Sequence, residues 1–125
     1  MLFRSFAKRL LESGCSVTLV DNFQRGSLDR DLVDVLAHPK CSLIDLDLRV
    51  GSLPRIDSHV VVHLAAIVGV REVVKAPELV LRANVESLVR TLDWASKMPS
   101  LTNVIFASTS EVYAGSVHEI GRAHV

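Results

Sequence analysis

The chain has no excess charge of either sign. Lysines plus arginines number 14, aspartates plus glutamates number 14, and no basic stretch stands out. A surface that neutralises nucleic-acid phosphates needs such a stretch, so nucleic acid is not an expected partner. Long apolar runs are also lacking. The run "HVVVHLAAIVGV" is interrupted by histidines and falls short of the roughly 20 residues that span a bilayer. The opening "MLFRSFAKRLLESG" mixes apolar and charged residues and no cleavage pattern follows it. Neither a membrane segment nor a targeting segment is expected, and the expected location is cytoplasmic. Cys15 and Cys41 are the only cysteines and lie far apart without metal-ligand spacing, so they are read as buried or idle thiols and no metal site is expected. Tyr113 is the single tyrosine.

The residues that are present alternate between helix and strand patterns. Phe3, Phe6, Ala7, Leu10 and Leu11 recur at helical spacing, and Gly14 follows as a C-terminal cap. The stretch "CSVTLVDN" is rich in β-branched residues and stops at an Asp-Asn turn. Ser27 can cap a second helix whose apolar side is Leu28, Leu32, Val35 and Leu36, closed by Pro39. A second strand, "CSLIDLD", comes next. "SHVVVHLAA" is a continuous apolar run, which suits a strand buried on both faces of a parallel sheet. From Pro77 a long helix places Leu81, Val85, Leu88, Leu92 and Ala95 on one stripe, with Trp94 packing beside it. "TNVIFAS" gives the last strand. Strands alternating with helices predict right-handed βαβ units and an open parallel α/β sheet.

Ligands of such sheets bind beyond the carboxyl ends of the strands. The predicted strands end in Asp21, in Asp47, in His63-Leu64-Ala65-Ala66, and in Ser108-Thr109-Ser110. An acid ending the strand after the first helix can accept both hydroxyls of an adenosine ribose and repels a 2′-phosphate, which favours NAD over NADP. A loop aspartate capping a turn is the alternative for Asp21. The glycine-rich phosphate loop should precede this acid by roughly 20 residues. Counting back from Asp21 reaches the start of the chain, where neither the glycines nor a preceding strand is found.

The stretches "AKRLLESGCSVTLVDNFQRGS", "LIDLDLR", "VVHLAA", "APELVLRANVESLVRTLDWA" and "FASTSEVY" occur in an order and spacing that resembles the extended short-chain dehydrogenase/reductase family, the NAD-dependent nucleotide-sugar epimerases and dehydratases. The resemblance implies a Rossmann fold, doubly wound with helices on both faces of the sheet. It implies that Asp21 and Asn22 hold the adenosine ribose, that Asp47 and Leu48 flank the adenine, and that the small Leu64-Ala65-Ala66 turn lets NAD approach the backbone. Asn84 matches a position that braces the strand ends near the nicotinamide, and Ser108 falls on the cofactor side. Thr109 matches the catalytic hydroxyl that donates a hydrogen bond to the sugar oxygen being oxidised. Ser110 and Glu111 fall where the dehydratases carry a substrate-facing acid pair. Serine at position 110 weakens a dehydratase assignment, and "ASTSEVY" is similar to the UDP-glucuronate decarboxylase group, with a 4-epimerase as the other reading of the resemblance. The family's general base is a tyrosine followed four residues later by lysine. Four residues after Tyr113 stands Val117, so Tyr113 is read as packing.

The closing "EIGRAHV", Glu119 to Val125, departs from the family pattern and matches the translation of a common sequencing adapter. The expected organisation is therefore a partial NAD-binding Rossmann domain over residues 1–118, lacking the first strand and glycine loop, followed by a non-native tail over 119–125. The whole protein is expected to be an enzyme that binds a nucleotide sugar and forms a homodimer, and the fragment itself to be inactive. A non-catalytic NAD-binding relative and a sterol-type dehydrogenase of the same superfamily are the alternatives.

Overall fold

The structure, a computed structural model, describes residues 2–23, 30–67 and 70–108 of the chain. The elements run α1 (Leu2–Glu12), β1 (Val17–Asp21), α2 (Arg30–Leu36), β2 (Cys41–Asp45), β3 (Val60–His63), α3 (Val70–Lys75), α4 (Pro77–Ser96) and β4 (Asn103–Phe106). The predicted alternation is observed, and α3 is an element that the periodicity of so short a segment did not reveal. Gly14 ends α1 at a φ of 89°. Its N–H donates to Leu11 O and that of Cys15 to Leu10 O, each at 3.0 Å, a Schellman closure that only a residue tolerant of positive φ completes without strain.

Both strand pairs are parallel. β1 pairs with β2, Val17 opposite Cys41 through Asp21 opposite Asp45. β3 pairs with β4, Val60 opposite Asn103 through His63 opposite Phe106. One open sheet was expected, whereas the described residues form two separate two-stranded sheets. β1 and β3 do not pair with each other, so each keeps an edge without a strand partner among the described residues. Ala7, Leu11 and Val35 form the core of the first half and pack with Val17, Leu19 and Cys41 from the sheet.

In the second half α4 packs on β3 and α3 packs on α4. Here the packing departs from the apolar periodicity. α4 buries Ala83, Ser87, Thr91 and Ala95, while Leu81, Val85 and Leu92 are exposed. Periodicity identifies an apolar face but not the direction in which it points. Small residues let the helix lie close, and its buried hydroxyls are satisfied locally: Ser87 Oγ donates to Asn84 O (3.1 Å) and Thr91 Oγ1 to Ser87 O (2.7 Å). The predicted two-sided burial of β3 is likewise not found. Val60 is exposed, Val61 and Val62 are half-buried, and only His63 is buried.

The crossover from β2 to β3 contains no helix and lies along α4. Arg90 Nη2 donates to Gly51 O, Trp94 Nε1 donates to Pro54 O (2.8 Å), and beyond the helix Ser100 binds both oxygens of Asp57 through its N–H (3.0 Å) and Oγ (2.6 Å). Positions 90 and 94 are one turn apart and face the same way. Trp94 thus contributes a directed hydrogen bond as well as packing.

Candidate cofactor site

Asp21 is the last residue of β1, and its half-buried carboxylate accepts the N–H of Phe23 at 3.0 Å. Phe23 has a φ of 59°, a left-handed conformation that a bulky residue adopts only when its surroundings impose it. The loop aspartate and the ligand-facing aspartate are therefore compatible: the turn uses Oδ1 and leaves acceptor capacity on the carboxylate. Next to it, the side chain of Asn22 hydrogen-bonds Asp47.

β2 ends at Asp45, so Asp47 belongs to the turn that follows the strand rather than to the strand itself. Its Oδ1 accepts the backbone N–H (2.9 Å) and Nε (3.1 Å) of Arg49, and its Oδ2 accepts Arg49 Nη2 at 2.9 Å. This fork holds the Asp47 carboxyl down at about 2 against the opposing effect of desolvation, with the least contribution coming from Asn22. Arg49 is correspondingly pushed up, chiefly by Asp47 and in part by the field of Glu86 on α4. Leu48 is half-buried in the same turn. Arg49 carried no expectation of its own. The signal was present in "DLDLR", because a carboxylate and an arginine two residues apart in a tight turn can close a fork.

On the other side, Leu64 is half-buried and Ala65 and Ala66 are exposed after β3. Asn84 makes a two-way clamp on the backbone just beyond them: its Oδ1 accepts Ile67 N at 2.7 Å and its Nδ2 donates to Ile67 O at 3.1 Å. The turn after β3 is thereby tied to α4. His63 stacks on Phe106, with ring centroids 5.9 Å apart and planes at 19°. Burial pushes its imidazole pKa down, which favours the neutral form. Ser108 is exposed just past β4. Thr109, Ser110, Glu111 and Tyr113 lie outside the described residues.

The structure thus gathers the expected residues into two groups. Asp21, Asn22, Asp47 and Leu48 stand at the ends of β1 and β2, and the Leu64–Ala66 turn and Asn84 stand beyond β3. A cavity of about 330 Å³ lined by Arg49, Ile67, Ala83 and Glu86 lies along α4, and none of the residues of the two groups lines it. Among the described residues no cluster of His, Cys, Asp and Glu could hold a metal ion. Cys15 is exposed, and Cys41 is half-buried with its thiol pKa pushed up by burial. No helix among the described residues is long and apolar enough to cross a membrane.

Parallel strands with acids at their carboxyl ends, joined by helical crossovers, are the frame of nucleotide-binding α/β proteins. Within that class the chain belongs to the NAD dependent epimerase/dehydratase family, whose model matches residues 4–123. It is also 34% identical over 110 residues to a UDP-N-acetyl-alpha-D-glucosaminuronate decarboxylase of Bacillus cytotoxicus, a match covering 86% of this chain. The chain spans about a third of that relative's length, 33%.

Proposed function

We propose that this chain is the cofactor-binding part of an NAD-dependent nucleotide-sugar enzyme that works through a transient keto-sugar, and that β1–β2 and β3–β4 are the two flanks of a doubly wound sheet. In the order 3-2-1-4-5 these pairs are the neighbours on either side of the central strand. The observation that carries the reading is Asp21: a carboxylate at the carboxyl end of a parallel strand, with one oxygen fixed by the Phe23 N–H, is arranged to accept a ribose diol. Asp47 and Leu48 then stand beside the adenine. The Asn84 clamp holds the Leu64-Ala65-Ala66 turn as a small-residue floor on which the nicotinamide half can rest.

The residues fit NAD in charge and in hydrogen-bonding character, with the Asp21 carboxylate keeping acceptor capacity for a diol. When bound, NAD supplies a reversible hydride acceptor. The chain's own contribution is to bind and orient. Asp21 and Asn22 hold the ribose, Ser108 lines the cofactor side, Thr109 donates a hydrogen bond to the sugar oxygen that loses its proton, and Ser110 and Glu111 face the substrate. Val117 stands where a lysine would have to follow Tyr113, so proton abstraction is assigned to a tyrosine–lysine pair elsewhere in the whole enzyme. Decarboxylation is the reaction favoured within the family, supported by the named activity of the Bacillus cytotoxicus relative and by the "ASTSEVY" stretch. A cytoplasmic homodimer acting on a nucleotide sugar completes the proposal.

The test is cofactor choice. The whole enzyme should use NAD in preference to NADP, because the Asp21 carboxylate stands where a 2′-phosphate must go and like charges so close are costly. Better use of NADP with Asp21 intact would refute the assignment.

A further inference from the structure

Asp47 has an unusual set of partners for a surface carboxylate. An ionised carboxylate offers about four acceptor positions. Three of them are taken by one residue, Arg49, through its backbone N–H, Nε and Nη2. The further donor is the side chain of Asn22. The side chains of Arg49 and Asp47 are 31% and 22% exposed, so the pair is neither sealed in the core nor free in water. On its far side Arg49 lies in the field of Glu86, and together they line the cavity that reaches Ile67. The guanidinium is therefore held by the turn, with Glu86 on α4 adding only a favourable charge, and the carboxylate it grips has little freedom to rotate.

We propose that Arg49 is the positioning residue of the adenine subsite: its fork fixes the Asp47 carboxylate so that a single acceptor position, the one filled by the Asn22 amide, is presented to the exocyclic amine of adenine. The inference rests on the reading of the chain as an NAD-binding domain and adds to it the residue that sets base specificity. An amide NH₂ and the adenine N6 amine are donors of the same kind, so Asn22 can yield its place to the base and turn to the ribose. Hypoxanthine carries a carbonyl at that position and would set an acceptor against the carboxylate, its nearest donor being the N1–H one ring position away. Lysine in place of Arg49 supplies charge but no planar fork, so it restrains the carboxylate less well.

The experiment is an NMR titration of the whole enzyme, selectively labelled, with AMP and with IMP, read at the amides of Asn22, Asp47 and Leu48, together with a carbon-detected titration of the Asp47 carboxyl. The wild-type enzyme should bind AMP about tenfold more tightly than IMP, the scale of one hydrogen bond to a charged group. Arg49→Met should bring the ratio close to one and return the Asp47 carboxyl from about 2 to the ordinary range. Arg49→Lys should fall between the two. An AMP preference that survives Arg49→Met overturns the proposal and leaves the NAD-binding reading intact, as does AMP binding without any preference in the wild type. If Arg49→Met does not fold, an unchanged ratio in Arg49→Lys overturns the need for the fork. Failure of the wild type to bind either nucleotide removes the cofactor reading and the proposal together.

Discussion

At the scale of single residues, the site is a set of short polar contacts whose consequences can be separated. In the whole enzyme, Thr109→Val should lower turnover by roughly 10²-fold or more with little change in NAD affinity, since a positioned proton-handling group contributes about that much. Isothermal titration beside steady-state kinetics checks this, and an equal loss of NAD affinity would make Thr109 a structural residue. Asp21→Ala should narrow the preference for NAD over NADP. Asp47 sets a pH dependence of its own. Its folded pKa of about 2 lies below the ordinary carboxylate value, so the pairing with Arg49 contributes stability in full above about pH 4 and loses it as pH falls through about 2. Asp47→Asn should flatten that part of an acid-unfolding curve. His63 acts in a higher window. Burial lowers its folded pKa below the unfolded value of about 6.5, so the folded state loses stability as pH falls below about 6.5. His63→Phe should weaken this dependence, as followed by melting curves from pH 8 to pH 5.

At the scale of elements, α4 is the helix on which most of the arrangement depends. It packs on β3 with small residues, clamps Ile67 through Asn84, faces Arg49 with Glu86 and holds the crossover through Arg90 and Trp94. Its buried small-residue face and its exposed apolar face should therefore respond differently to substitution. Ala95, 1% exposed, has no room for added atoms, and Ala95→Leu should cost about 1–3 kcal/mol by overpacking. Leu81→Lys, on a residue 66% exposed, should stay within about 0.5 kcal/mol. Urea unfolding followed by Trp94, the only tryptophan, reads both. The reverse order of effects would mean that the helix turns its other face to the sheet. Asn84→Ala should cost about 1 kcal/mol per lost hydrogen bond and remove the hydrogen-exchange protection of the Ile67 amide.

At the scale of the whole molecule, the described residues form two half-sheets that share no strand-to-strand hydrogen bonds among them, and the segment between β2 and β3 lies as a polar strap along α4. Val104, Ile105 and Phe106 are 36%, 49% and 54% exposed along β4, and Val85, Val89 and Leu92 add to the apolar surface of α4. Exposed apolar strands and open sheet edges favour association. The isolated chain should therefore bind a hydrophobic dye and elute from gel filtration larger than a monomer, and Phe106→Lys should reduce both effects. Because the halves are weakly coupled, unfolding followed by Trp94 fluorescence should not coincide with unfolding followed by far-UV circular dichroism. A single sharp transition seen by both probes, with micromolar NAD affinity, would show that the described elements already form a cooperative cofactor domain.

The elements and their order were legible in the residues themselves. "CSVTLVDN" specified a strand stopping at Asp21, "LLESG" specified a helix closed by Gly14, and Pro77 marked the start of the long helix, because each rests on local chemistry: β-branched packing, positive φ, a fixed proline ring. The short motifs also carried the family. What the sequence left open was direction and partnership. The stripe Leu81–Val85–Leu88–Leu92–Ala95 predicted an apolar face, yet of these only Ala95 is buried, together with Ala83, Ser87 and Thr91, because periodicity is the same whichever way a helix is rolled. A run such as "HVVVHLAA" reads as buried on both sides wherever it stands, while its burial depends on which strands and helices come to lie against it. The grip of Arg49 on Asp47, and of Asn84 on Ile67 17 positions away, likewise arises only when the turns close, since a side-chain fork needs geometry that composition does not encode.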